Sequence, residues 1–377
     1  MYVAKASDDL KLVTHFELDT KFGGAGGAKY FTNDGGGLDA DTVMLETKNV
    51  YLDFKIPSTP VNVKVGIQPW GDAFANTFAL VDATGVVFTG KFNALTATYG
   101  YFTAGGPGNI APVFPSNNST KDLNVLDVKF AASKDLSVGG SYYLVLDKAG
   151  AGTVAINTPT IGQSTVGLNA NAKFGPASLA TTFGLQFVKS MPGAVALSPT
   201  GGTTAFGVTL AAKIDVGPGK INASALYLSG DKNGTGYNHA WQSLNPGLNY
   251  FIPANMWLLT RNIATINSST AVLGSDLTKG GLGMLGLFAG YEGTAGKTFY
   301  NANLGWAKVA EKRTANSANL GVELNATVGH KLYDNLSASF LEPGHDGVVQ
   351  AEVAAQVDAT EPRVPRPALA DLQPAPL

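Results

Sequence analysis

The chain has 377 residues, no cysteine and a net charge of -2, which excludes disulfide scaffolds, thiolate metal sites and a Cys nucleophile. Only 14% of residues are charged, where soluble domains carry about 25%, and no basic block is present to hold nucleic acid. Yet the hydrophobic share is an ordinary 45%, and no apolar run reaches the roughly 18 residues of a transmembrane helix.

Low charge without high hydrophobicity is the composition of strands that face lipid on one side and a wet, nearly uncharged lumen on the other. The opening stretch, "MYVAKASDD", lacks the charged, apolar and small-residue regions of a signal sequence, so an exported protein would be represented by its mature or truncated form.

Residues 10–20 are the first alternating run. Leu10, Leu12, Phe16 and Leu18 share one face, and Lys11, His15, Glu17 and Asp19 the other. A Gly-rich loop follows at 21–42. Hairpin-like pairs are then predicted at 49–56/61–68, 86–92/95–102, 124–130/136–146, 164–174/179–188, 204–214/221–228, 284–292/298–307 and 319–332/336–340. A few residues join the two runs of each pair, whereas longer stretches separate one pair from the next: 71–84, 103–122, 148–163, 189–203, 229–279 and 309–317. A Greek-key sandwich has no reason to alternate short and long connections so strictly. An up-and-down antiparallel β-barrel in an outer membrane does, with short periplasmic turns and long extracellular loops.

The fold class predicted is therefore all-β, a transmembrane barrel of about 16 strands. The runs above supply 15. The stretch "GVVQAEVAAQV" (347–357) is the candidate for closing an even count, so the barrel is assigned to 1–357, with its last strand uncertain. Residues 358–377, rich in Pro and Ala, read as a disordered tail.

Aligning the turns exposes a repeat: "DFKIP", "TGKFN", "DVKFA", "NAKFG", "AAKID" and "GHKLY". Lys55, Lys91, Lys129, Lys173, Lys213 and Lys331 fall on the polar face, each one residue before an outward apolar or aromatic side chain. A Lys facing lipid at mid-membrane costs about 2–4 kcal/mol, while one facing a water-filled lumen keeps its hydration. These lysines are expected to line the pore, with Glu17, Asp53, Asp127, Asp215 and Glu323 as acidic lumenal partners. Their outward neighbours Phe92, Phe130 and Phe174 would form the periplasmic aromatic girdle, and Tyr101, Tyr142, Tyr227 and Trp306 the extracellular one.

Chemistry is otherwise missing from the sequence. The four histidines have no metal-ligand spacing, and no HExxH, GxSxG or phosphate-binding loop occurs. No enzyme activity, cofactor or metal is expected. The stretch "TKNVYLDFKIPSTPVNVKVGIQPWGDAF" (47–74) resembles the early hairpin of Gram-negative general porins, and the alternation of short turns and long loops extends the likeness over residues 10–340.

What that resemblance implies is a 16-stranded porin in the outer membrane of a Gram-negative bacterium, a homotrimer in contact with membrane lipid and lipopolysaccharide. It would pass ions and small hydrophilic solutes by passive diffusion. The resemblance also implies that the third long loop, 103–122, folds inward as a constriction, although Asp122 is its one acidic residue where the familiar pattern has an acidic loop. A substrate-specific channel for sugars or organic acids, or a soluble β-rich binding protein, are the alternatives. Either barrel reading predicts heat-modifiable migration in detergent gels, and a single unshifted band would eliminate both.

Overall fold

The structure is a computed structural model describing residues 1–17, 21–24, 34–36, 45–105, 120–148, 160–190, 203–232, 239–244, 250–260, 281–312, 318–334, 336–345, 348–349 and 352–357. Strands dominate it. They are β1 (Tyr2–Ser7), β2 (Leu10–Glu17), β3 (Lys21–Gly24), β4 (Asp34–Gly36), β5 (Glu46–Lys55), β6 (Val61–Gly71) and β7 (Leu80–Phe92). Next come β8 (Leu95–Gly105), β9 (Thr120–Ala131), β10 (Leu136–Lys148), β11 (Thr160–Phe174), β12 (Ala177–Ser190), β13 (Thr203–Val216) and β14 (Gly219–Leu228). The last are β15 (Met284–Ala295), β16 (Thr298–Lys308), β17 (Asn319–Tyr333), β18 (Leu336–His345), β19 (Val348–Val349) and β20 (Glu352–Val357).

Apart from the small parallel pair β3–β4, every strand belongs to one up-and-down antiparallel sheet of 18 strands. Sixteen of these, β1, β2 and β5 to β18, succeed one another by nearest-neighbour pairing, and the short β19 and β20 add to β18. All seven predicted hairpins are present. The strand count differs: β1 pairs with β2 ahead of the first predicted run, the short β3 and β4 lie in the predicted Gly-rich loop, and two short strands, β19 and β20, stand in the last predicted stretch. "YVAKAS" is short and its alternation weak, so periodicity gave it little signal. Part of the stretch predicted at 347–357 does pair, since β20 runs antiparallel along β18 from Leu336↔Val357 to Leu341↔Glu352. Residues 358–377 lie outside the described residues.

Turn chemistry explains the tight registers. In β7–β8, β11–β12, β13–β14 and β15–β16 only two residues separate the last paired positions, as in Phe92↔Leu95 and Phe174↔Ala177. Two-residue hairpins require a positive φ at the first central residue to match strand twist. Asn93 (φ 53°) and Gly175 (φ 57°) supply it in their turns.

The alternating faces are inverted relative to a soluble protein. Leu168 is 66% exposed, Phe174 65% and Leu324 61%, together with Leu126, Phe130, Tyr142, Phe183, Leu210, Leu287 and Leu304. The opposite face carries the buried Asn222, Ser224, Gln186, Asn303 and Asn325. Among the described residues no helix is long and apolar enough to cross a membrane. The strands themselves present the apolar band. Placing Arg at Leu168 should therefore destabilise the barrel in lipid by about 2–4 kcal/mol, whereas Arg at the inward Asn171 should leave it nearly unchanged. Unfolding midpoints in lipid vesicles would test the contrast, and equal losses at both positions would contradict this orientation.

Candidate functional site

Inside the barrel the polar face does not simply meet water. Two connecting regions fold inward and fill part of the space: 72–79, after β6, and the described stretches 239–244 and 250–260. On the wall around them the inward positions turn apolar: Phe102 on β8, Leu123 and Val125 on β9, Tyr143 and Val145 on β10, Leu226 and Leu228 on β14, and Phe288 on β15. Phe74, Phe78, Trp241, Leu244, Phe251 and Met256 of the two segments join them in one core. Tyr143 is its hub, with ring centroids 5.2 Å from Phe74, 5.6 Å from Trp70 and 5.6 Å from Phe78.

Space for this core is made by glycine. Gly167, Gly184 and Gly207 stand opposite one another across β11, β12 and β13. A methyl group built on Gly167 would lie 2.2 Å from the Phe74 ring, and one on Gly184 2.7 Å from Trp241. The row is a seat for two aromatic rings, one that any larger side chain would occupy.

Polar groups of the wall then meet the backbone of the segments. The Gln186 side chain accepts from the Gln242 N–H (2.7 Å) and donates to the Gln242 carbonyl (2.7 Å). Ser224 donates to the Pro253 carbonyl (3.1 Å). The Tyr143 hydroxyl accepts from the Ala73 N–H (2.8 Å) and donates to Asp127 (3.0 Å), which also accepts from Ser141. The segments bond to each other as well: Trp241 Nε1 donates to the Thr77 carbonyl (3.1 Å), and the backbone N–H groups of Leu244 and Tyr250 donate to Phe78 (2.9 Å) and Asn76 (3.0 Å).

Two carboxylates carry the largest share of these bonds. Asp72 accepts from the backbone N–H groups of Phe74 (2.6 Å), Asn76 (2.9 Å), Phe78 (2.7 Å) and Ala79 (2.5 Å). Burial pushes its carboxyl up to about 6, and the four donors limit the rise, so it is mostly ionised at neutral pH. Glu323, fully buried on β17, accepts from Trp257 (2.7 Å), Leu258 (2.9 Å) and Leu259 (2.9 Å), and from the Asn325 amide (2.9 Å).

On the turn side of this inward body lies a cavity of about 990 Å³. Its wall includes Lys129, Lys173, Lys213, Asn171, Asn222 and Glu292, and the tips of the segments reach it through Ala75, Asn76, Pro253 and Asn255. Ala75 (φ 57°), Asn76 (φ 63°) and Asn255 (φ 50°) are non-glycine residues in the left-handed region, a strain that clusters at functional surfaces.

The predicted site residues fall into distinct groups. Lys129, Lys173 and Lys213 share the cavity, and Lys213 pairs with Glu292 at 3.2 Å. Lys55, Lys91 and Lys331 are exposed at equivalent turn-side positions but do not line it. The repeat has a backbone counterpart: the N–H groups of Lys55, Lys91, Lys173 and Lys331 each donate to a carbonyl of the neighbouring turn region, Asp9, Pro60, Asp135 and Lys297.

The acidic residues are mostly engaged. Glu17 pairs with Lys48 (2.6 Å), Asp53 with Lys11 (3.2 Å) and Asp215 with Lys220 (3.7 Å). Asp127 and Glu323 hold side-chain or backbone donors inside the barrel. The girdle candidates all point outward: Phe92, Phe130, Phe174, Tyr101 and Tyr142 are exposed, while Tyr227, stacked on Phe206, and Trp306 are half-buried. Of the loop expected to constrict the pore, 106–119 lies outside the described residues.

Sequence reasoning missed the inward segment 72–79 and the role of Asp72. A signal was present, because strict alternation breaks near the loop ends: "YYLVL" (142–146) and "LYL" (226–228) are apolar on both faces.

With apolar side chains outside and polar groups around an open cavity inside, the architecture is decided. The chain has the fold of an up-and-down antiparallel β-barrel wall with its apolar side chains outward. No protein-family model matches it, and no curated protein matches it in sequence. Among solved structures it is similar to OccK1 (OpdK) of Pseudomonas aeruginosa, with 12% identity, coverage of 92% of this chain and 85% of that one, and a TM-score of 0.49. It is also similar to OccK5 (OpdH) of the same organism, with 13% identity, 84% and 81% coverage and a TM-score of 0.47. For OccAB4 of Acinetobacter baumannii the values are 13% identity, 84% and 74% coverage and a TM-score of 0.47.

The glycine seat makes a direct prediction. Gly184→Leu should displace Trp241 and shift tryptophan emission to longer wavelength with strand content intact. Gly140→Ala, whose added carbon meets nothing closer than 3.9 Å, should leave the spectrum unchanged.

Proposed function

We propose that the protein is an outer-membrane channel carrying small hydrophilic solutes and ions passively, with a mild preference for anions set on its turn-side, periplasmic half. One observation carries this reading: an outward apolar band encloses a hydrated-size cavity whose wall bears Lys129 and Lys173, neither of which has an ion-pair partner among the described residues. A Lys beside water in a low-dielectric wall attracts anions without binding them tightly. Lys213 contributes less, because Glu292 offsets it. The other predicted lysines, Lys55, Lys91 and Lys331, would act at the mouth, where salt screens them more strongly.

A soluble binding protein is disfavoured by the outward leucines and phenylalanines, which would be left in water. Selective uptake is the second reading. It is favoured by the amides around the cavity: the buried Asn222 Oδ1 has no hydrogen-bond partner among the described residues, and Asn76 and Asn255 are held in left-handed conformations at the segment tips. Those groups suit a hydroxylated solute. A homotrimer in contact with lipopolysaccharide remains part of the proposal and calls for cross-linking in native membranes.

Planar-bilayer reversal potentials test the main reading. Converting Lys129 and Lys173 to Gln should move the potential toward cation preference, and Lys213→Gln alone should move it less. An unchanged potential in the double variant would remove the lysines from the selectivity mechanism. Saturable flux or current block by one solute would instead favour selective uptake.

A further inference from the structure

We propose that Asp72 and Glu323 are paired positioning residues that hold the two inward segments as a single constriction, so that the width of the path is set by these carboxylates rather than by any charge the solute meets. The inference rests on the channel reading above and adds to it how the narrow point is built.

Both carboxylates are unusual for a pore. Each faces the interior without a cation among the described residues, and an ionised group so placed costs free energy unless donors surround it. The donors are peptide N–H groups that no strand ladder uses: four from 74–79 on Asp72, and three consecutive ones, from Trp257, Leu258 and Leu259, on Glu323. Backbone nests of this kind bind anions through fixed dipoles. Here the anion is the protein's own side chain, and the result is a fastening.

The two fastenings act at opposite ends of one body. Asp72 follows directly on β6 and gathers the first segment at its root. Glu323, on β17, grips the second where it leaves the cavity roof. Between them the segments are joined through Trp241 to Thr77, Leu244 to Phe78 and Tyr250 to Asn76. The wall accommodates each end: the glycine row receives Phe74 and Trp241, and Gly305, which pairs with Glu323, faces the Met256 sulfur. The tips that emerge, Asn76 and Asn255, form the roof of the lysine-lined cavity. Release at either end would let those tips leave the lumen while the antiparallel ladders of the wall stay intact.

The experiment compares purified wild type with Asp72→Ala and Glu323→Ala in planar bilayers and in liposome-swelling assays. Both variants should show higher single-channel conductance, more open-channel noise and swelling with solutes above the wild-type size cut-off, with little shift of the reversal potential. A shifted reversal potential at unchanged conductance and cut-off would make the carboxylates solute-facing charges and overturn the proposal. So would no change in any readout.

Where an alanine variant fails to give heat-modifiable barrels, the isosteric Glu323→Gln serves, since it keeps the volume and loses acceptors. A second arm restores the fastening: Asn76→Cys with Tyr250→Cys, in a chain with no native cysteine, should return Asp72→Ala to wild-type noise when oxidised and release it when reduced. Noise indifferent to the disulfide would also overturn the proposal. If wild type itself does not conduct, the channel reading fails; if wild type conducts and the variants match it, only the fastening fails.

Discussion

In hydrocarbon no water is available to a peptide group, so each backbone N–H and C=O must find its partner within the protein. The long antiparallel ladder meets that demand for the wall. From it follow the up-and-down order, the two-residue turns that keep neighbouring registers tight, and the inversion that puts leucine and phenylalanine outside. The same demand returns inside the barrel. Segments folded into the lumen carry N–H groups that the ladder cannot serve, and they are met by Asp72, Glu323, Gln186 and the Tyr143 hydroxyl.

The interior is accordingly built in two zones. Toward the long loops it is a packed core, with aromatic rings against a wall thinned to glycine at Gly167, Gly184 and Gly207. Toward the short turns it is an open cavity with lysines and amides on its wall. A barrel this wide cannot be filled by its own wall side chains, so the division depends on chain borrowed from the connections. The aromatic contacts within the packed zone are of the edge and tilted kinds that rings prefer over face-to-face stacking, which fits a body with a defined shape.

The wall was legible in the sequence because it obeys a period of two residues over long stretches. All seven hairpins, the outward aromatics and the turn-side lysines follow from that period. The site was legible only in part. Lys55, Lys91, Lys129, Lys173, Lys213 and Lys331 read as one lumenal set, and three of the six, Lys129, Lys173 and Lys213, share one cavity. The period puts Glu323 on the wall's polar face, but it gives no sign of its partners, because Trp257, Leu258 and Leu259 are 64 to 66 residues away in sequence. Asp72 lies within the stretch that carries the porin resemblance, but nothing in that stretch points to its role. It follows a strand in "QPWGDAF", where an acidic residue beside glycine reads as an ordinary turn.

By itself, then, the sequence determined which face of each strand meets lipid, where the chain turns, and that charge gathers at the turn end. Local alternation sorts the side chains of each strand into two faces, and low charge together with short turns alternating with long loops assigns the apolar face to lipid. Only the tertiary structure decided what stands in the lumen. The fit of Phe74 and Trp241 against a row of glycines drawn from three strands, and the convergence of distant peptide groups on two carboxylates, are contacts between segments far apart in the chain. No periodicity encodes them, because they exist only once the sheet has curved and brought its inner face around the segments that fill it.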